Sequence, residues 1–250
     1  MLSLQEFTYN VKCIISYDGS DYYGFQAQDG YKTVEAELYR AINYITKENN
    51  KIIGSGRTDK DVHAKGQVIN FYTNLKMDEG RFMYALNRML PKDIRIVKLT
   101  YVNISFHARF SAKKKEYRYL IKFKNYTPFD VRYYHFNDRL NLSLMQEAIK
   151  LFEGTHNFEG FCSAEVDKRK DFNKTIYKAE IKVHRDYYEF IFEGTGFLKY
   201  QIRRMMAYLI AIGEGREVKE KITEIFKTHQ VQMHHRMAPG CGLYLYKVSY

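Results

Sequence analysis

Cysteine is scarce in this sequence: Cys13, Cys162 and Cys241 are an odd number, set far apart, with no C-x-x-C pair. That excludes a disulfide framework and disfavours a zinc site, and it fits a reducing compartment. Long apolar runs are missing as well. The longest, Met205 to Ile212, is far too short to span a bilayer. No basic-then-apolar segment opens the chain. The expectation is a soluble, cytoplasmic protein with no membrane partner. Proline is nearly absent, with three residues, and no Pro/Ser-rich linker separates the halves. Tryptophan is absent altogether.

What the chain does contain is basic and aromatic. Lys and Arg number 40 against 29 acidic residues, a formal net charge of +11. Such an excess favours a polyanionic partner, because lysines and arginines displace the counterions of phosphates. There are 23 tyrosines and 17 phenylalanines, many interleaved with basic residues, and nucleobases stack on such rings. A hydrophobic content of 45% over 250 residues is that of a globular protein with a sizeable core.

Periodicity gives an alternating α and β pattern. Val11 to Tyr17 reads as a strand. Thr33 is placed to cap a helix whose Val34, Leu38, Ile42 and Ile45 share one face. A second helix spans about Asp78 to Met89, with Phe82, Leu86 and Met89 inward, and Ile94 to Val97 begins a strand. This β-α-β-β-α-β order is that of ferredoxin-like folds. In the second half, Glu116 to Phe123 reads as a strand. Ser143-x-x-Gln146 is a capping-box start for a helix carrying Leu144, Ala148, Leu151 and Phe152. Ile176–Val183 and Tyr187–Phe192 form a hairpin, two helices follow at about Leu198–Ile212 and Val218–Lys227, and Leu243–Val248 closes the chain. The expected architecture is α+β: two ferredoxin-like or RRM-like lobes, residues 1–104 and 105–250, with mixed, mainly antiparallel sheets joined across a central cleft.

Between Ile52-Ile53 and Val68-Ile69-Asn70-Phe71-Tyr72 lies the most polar loop, Gly54-Ser55-Gly56-Arg57-Thr58-Asp59-Lys60-Asp61-Val62-His63-Ala64-Lys65-Gly66-Gln67. Loops held on a sheet are where catalytic groups concentrate. In an extended segment Arg57 and Asp59 point the same way. A neighbouring cation keeps a carboxylate ionised, ready to act as nucleophile or base. A structural ion pair in a glycine-rich turn gives the same pattern.

Gly56-Arg57-Thr58-Asp59-x-x-Val62-His63-Ala64 resembles the signature loop of the TruA-type tRNA pseudouridine synthases. Four further segments are similar to that family, in its order. They are Tyr17-Asp18-Gly19-Ser20-Asp21-Tyr22-Tyr23-Gly24-Phe25-Gln26; Phe106-His107-Ala108-Arg109-Phe110-Ser111-Ala112 with Tyr117-Arg118-Tyr119; Phe197-Leu198-x-x-x-Ile202-Arg203; and Gly242-Leu243-Tyr244-Leu245. The resemblance implies a cofactor-free, metal-free enzyme that isomerises uridine to pseudouridine, with Asp59 as the catalytic carboxylate. It implies that Arg57 orients Asp59 and fills the place of the flipped base. Tyr117 would stack on the uracil, Arg203 would reach Asp59 from the second lobe, and Leu245 would wall the base pocket. The implied substrate is tRNA at the anticodon arm (positions 38–40), bound by a homodimer.

The sequence departs from the pattern at three places. Asp61 stands where a glycine is usual, Phe25 where a tryptophan is, and Ala207 where a glycine is common. If position 61 needs a positive φ, Asp tolerates it better than most residues. Asp61 also adds a carboxylate beside Asp59, which bears on the choice of RNA, so ribosomal RNA or other tRNA positions are alternative targets. Lys113-Lys114-Lys115 and Lys168-Arg169-Lys170 are candidate phosphate contacts, although such clusters are more often solvated surface. Two other classes compete. A metal hydrolase would draw on Asp61-x-His63, His107, His156 and His234-His235, without a compelling ligand spacing. A non-catalytic RNA-binding protein would use the sheets as RRMs do, without an RNP1-like run.

Overall fold

The computed structural model describes residues 7–163, 171–230 and 235–250. The protein is α+β. It divides into two compact units, Met1–Lys113 with Leu245–Tyr250, and Lys114–Tyr244. Residues Leu245–Tyr250 group with the first unit.

The first unit is built on β1 (Tyr9–Tyr17), α1 (Val34–Thr46), β2 (Ile53–Gly54), β3 (His63–Thr73), α2 (Glu79–Met89) and β4 (Ile94–Val102). Strand β1 pairs antiparallel with β3 on one side and β4 on the other, and β2 adds two residues to β3. Alternation sets the faces: Val11, Cys13, Ile15 and Tyr17 are buried, as are Val34, Leu38, Ala41 and Ile42 of α1 and Phe82 and Leu86 of α2. Burying such side chains stabilises the unit by roughly 1.5–3 kcal/mol each.

The opposite side of β1 carries Asn10, whose Oδ1 accepts from Asn70 Nδ2 (2.9 Å) and whose Nδ2 donates to the Phe106 carbonyl (2.8 Å). Asn70 Oδ1 in turn accepts from Ala108 N (2.8 Å). These buried amides tie the Phe106–Ala112 segment to the first unit, which is why the division falls beyond it. Both of β1's register shifts lie at its end, between Ile14 and Tyr17, where bulges re-aim a chain leaving a sheet.

The second unit contains β5 (Lys114–Lys122), β6 (His135–Phe136), α3 (Leu142–Lys150), β7 (Gly154–Asn157), β8 (Asn173–Val183), β9 (Tyr187–Gly194), α4 (Gln201–Gly213) and α5 (Glu220–Thr228). Its strands run β5-β9-β8-β7, each pair antiparallel, while β6 adds a short parallel pairing to β5. Helix α4 is apolar on nearly every side, and Met205 through Gly213 are all buried, as expected of a helix enclosed by its unit. A cluster of Phe152, Phe158, Phe161 and Phe226 meets largely edge to face, with centroids 5.2–6.3 Å apart. The chain closes with β10 (Leu243–Ser249).

Several local expectations need correction. Helix α3 starts at Asn141, whose side chain accepts from Leu144 N, and not at Ser143. In this helix Met145 is buried, while Leu144 is 42% exposed. Met89, at the last turn of α2, is also exposed. Strand β3 begins at His63, inside the polar segment, so the loop proper is shorter than the sequence suggests.

Candidate active site

The Asp59 loop rests on the segment that leaves β1. The Tyr17 hydroxyl, fully buried, shares a 2.7 Å hydrogen bond with Thr58 Oγ1. Burial pushes the Tyr17 phenol far up, against the opposing bonds of Thr58 and Gln67, so it is neutral. The Thr58 carbonyl accepts from Phe25 N (3.0 Å). Two glycines permit the contact. A Cβ on Gly19 would lie 2.1 Å from the Val62 carbonyl oxygen; one on Gly24, at φ +91°, would lie 2.8 Å from the Thr58 carbonyl oxygen. On the β3 side, Gln67 Oε1 accepts from Ser55 Oγ (2.6 Å) and Gln67 Nε2 donates to the Gly56 carbonyl (2.9 Å).

These bonds fix the alternation of the loop. Thr58 turns inward and is buried, Arg57 is exposed, and Asp59 is half-buried. The Asp59 carbonyl accepts from Val62 N (3.2 Å), closing a tight turn. Asp61, within that turn, has φ +63°, a left-handed conformation in which glycine carries no steric cost and Asp a modest one. The chain needs a glycine-like residue here and supplies the next most tolerant kind. What results is a carboxylate whose backbone is pinned on both sides and whose side chain remains partly accessible. Such a group can attack or deprotonate a substrate brought to it.

His63 has a different job from ligating metal. It is 2% exposed, and its Nδ1 accepts from Gly19 N at 3.0 Å. The Asp18 carboxylate also approaches Nδ1, at 3.2 Å. One ring nitrogen cannot both accept from Gly19 and donate to Asp18. Asp18 Oδ1 also takes Ser20 N and Ser20 Oγ. Among the described residues no group of three His, Cys, Asp or Glu side chains is placed to hold a metal ion; His234 lies outside them.

The remaining expected site residues divide between the units. Leu245 is fully buried and belongs with Asp59 and Arg57 to the first unit. Tyr117 and Arg203 belong to the second. Tyr117 lies on β5, almost fully buried, its ring edge-on to Phe197 at 5.3 Å. Arg203 sits in the first turn of α4, half-buried. Its Nε donates to the Ala238 carbonyl (2.8 Å), its own carbonyl accepts from Ala238 N (3.2 Å), and its guanidinium lies 5.9 Å from the Tyr200 ring. The neighbouring Tyr119 donates to the Pro239 carbonyl (3.0 Å). Burial raises the Tyr119 pKa strongly; the nearby Cys241 adds to the rise and the Arg203 charge opposes it.

The supporting residues Tyr17, Thr58, Gln67 and Ala238 were not identifiable as such from the sequence, because each acts by a bond between distant positions. Only Tyr17's place at the head of a signature segment hinted at its part. Of the basic clusters, Lys114 pairs with Glu193 at 2.9 Å, and Lys168-Arg169-Lys170 lies outside the described residues.

Residues 13–111 and 148–250 match the tRNA pseudouridine synthase family, to which the chain belongs. Three relatives cover nearly its full length. The chain is 41% identical over 243 residues to tRNA pseudouridine synthase A of Geobacillus sp. (strain WCH70), and equally to tRNA pseudouridine synthase A 1 of Bacillus cereus (strain ATCC 14579). It is 39% identical over 244 residues to tRNA pseudouridine synthase A of Bacillus subtilis (strain 168). Each alignment covers 96% of this chain and 98% of the relative.

Proposed function

We propose that this pseudouridine synthase uses Asp59 as its catalytic carboxylate and acts on uridines of the tRNA anticodon arm (positions 38–40). The observation that carries the assignment is the pinning of Thr58 by Tyr17 and Phe25, which leaves Asp59 accessible on a fixed backbone. The reaction breaks the bond between N1 of uracil and C1′ of ribose, turns the base, and forms a bond from C5 to C1′. C5 gives up its proton and N1 ends protonated, so no atom is lost and no co-reactant is needed. Asp59 serves either by attack on C1′ or by taking a proton from the sugar.

The target must first leave its stack, which requires a pocket that holds the free base. Arg57 orients the carboxylate and substitutes for the extruded base. Tyr117, Arg203 and Leu245 bind the uridine: a ring for its face, a cation for the reacting carboxylate, and an apolar wall. The enzyme works in the cytoplasm as a homodimer, without cofactor or metal. Residues 1–104 and 105–250 correspond to the family's two lobes.

The test is to map pseudouridine in total tRNA and rRNA incubated with the wild-type protein and with Asp59→Asn. The expected result is new pseudouridine in the anticodon arm, absent with the variant, while the variant still binds tRNA. Activity of Asp59→Asn would overturn the mechanism. Signal confined to rRNA would keep the chemistry and replace the substrate, with Asp61 the first residue to examine. No pseudouridine in either RNA, with binding retained, would make the chain an RNA binder.

A further inference from the structure

Next to the Asp59 loop is a feature for which the reaction has no use. Tyr23 and Tyr31 stack with ring centroids 4.1 Å apart and planes 21° apart, yet they remain 42% and 52% exposed. Adjacent large apolar groups left in water mark a surface that something covers. The pair is not a chance contact of floppy side chains. Tyr23 N donates to the Lys32 carbonyl (2.8 Å) and Tyr31 N to the Gln28 carbonyl (3.3 Å), so the loop's own backbone holds the two rings together.

The rings line a shallow cavity of about 270 Å³ together with Asp21, Lys32 and Lys60. Lys60 Nζ lies 5.4 Å from the Tyr23 ring centre. Lys32 Nζ lies 4.3 Å from that of Tyr22 and 3.6 Å from the Asp93 carboxylate. Aromatic faces beside ammonium groups are the chemistry of a single-stranded nucleotide: base on ring, phosphate on cation. The Asp21 charge in the lining disfavours a bare anion, which again points to a base. Lys60 directly follows Asp59. A strand that delivers a uridine to Asp59 therefore brings a neighbouring phosphate towards Lys60.

We propose that this cavity holds the base of an unpaired nucleotide flanking the target uridine, stacked on the Tyr23–Tyr31 pair with its phosphate at Lys60. The inference rests on the assignment of Asp59 as the reacting carboxylate. The site would add a sequence-tolerant grip on the loop of the RNA, since every base has a π-face.

The experiment measures equilibrium binding of an anticodon-arm hairpin, and of hairpins made abasic one position at a time within two nucleotides of the target. The proteins are wild type, Tyr31→Ala and Tyr23→Ala/Tyr31→Ala. Removing one flanking base should weaken wild-type binding about tenfold, the scale of one base–aromatic stack. The variants should lose a similar factor on intact RNA and nothing further on that abasic RNA. Equal binding of intact RNA by wild type and variants would overturn the proposal. So would an undiminished abasic penalty at every position in the variants. Thermal melts of the variants separate a binding defect from unfolding. Failure of the Asp59 assignment shows differently, as pseudouridine formed by Asp59→Asn or none formed by wild type, whatever the binding data.

Discussion

The Asp59 loop of the first unit and the Arg118–Glu189 cluster of the second hold their backbones by opposite electrostatic means. The loop is held by groups without charge: Tyr17 on Thr58, Ser55 on Gln67, Gln67 on the Gly56 carbonyl. The cluster is held by charges. Arg118 donates to Glu189 at 2.7 Å and Glu116 at 2.8 Å, and His184 Nε2 lies 3.2 Å from Glu189. Burial pushes the Glu189 carboxyl up, but Arg118 and His184 outweigh it and hold it below the usual carboxylate range. Glu153 behaves alike: burial raises it, while Lys150 and the Ala179 amide bring it down. The difference teaches where pH can act. A depressed carboxylate contributes stability above its unfolded pKa and loses it as pH falls through the folded value. The phenol, hydroxyl and amide groups that hold the loop do not titrate in that range, so acid weakens the Arg118–Glu189 cluster before it touches those bonds.

The largest effect should come from Gly19→Ala, which forces a methyl group against the Val62 carbonyl. A loss of about 3 kcal/mol is expected, on the scale of packing and strain defects, and pseudouridine formation should fall with it; denaturant melts and a turnover assay check both. Glu189→Gln should cost about 2 kcal/mol at pH 7, where a charge-assisted bond is lost. That cost should shrink at acid pH, as the wild-type carboxylate takes up a proton in its turn. Melts at the two pH values read the difference. Tyr17→Phe should cost about 1 kcal/mol, and the same at both pH values; a pH-dependent cost would break the contrast between the units. The smallest effect belongs to Asp61→Gly. Relief of the left-handed backbone should leave stability unchanged or raise it by less than about 1 kcal/mol, with activity kept or improved. A large loss of activity would give Asp61 a role of its own in selecting the RNA.

Legibility followed the range of the interaction. Helix α1 could be read from Val34, Leu38 and Ile42, because burial repeats with the helical period, and α4 from an apolar run longer than a strand. The α3 start was misread since Asn141 and Ser143 are both capping residues, and only the path of the incoming chain decides which reaches a free amide. The Asp59 loop was legible as a signature, and the demand for a positive φ at Asp61 followed from comparing that signature with a glycine. What the sequence hid were single long-range bonds, such as Tyr17 to Thr58 and Arg203 to Ala238, which leave no periodic trace. The exposed Tyr23–Tyr31 pair was hidden likewise, for a tyrosine in a loop looks the same whether its ring is covered or bare.

The return of Leu245–Tyr250 to the first unit has a consequence for the order of events at the ribosome. Ser249 accepts from Lys113 N, and the Tyr250 hydroxyl donates to the Ala108 carbonyl, so the unit that holds β1 is completed only after the second unit's strands have been made. At roughly 5–20 residues per second, its opening strands wait on the order of ten seconds for their closing partner. During that interval the side of β3 that later pairs with β10 is an open edge. Nascent chains stalled before residue 245 should therefore be the form most dependent on chaperones.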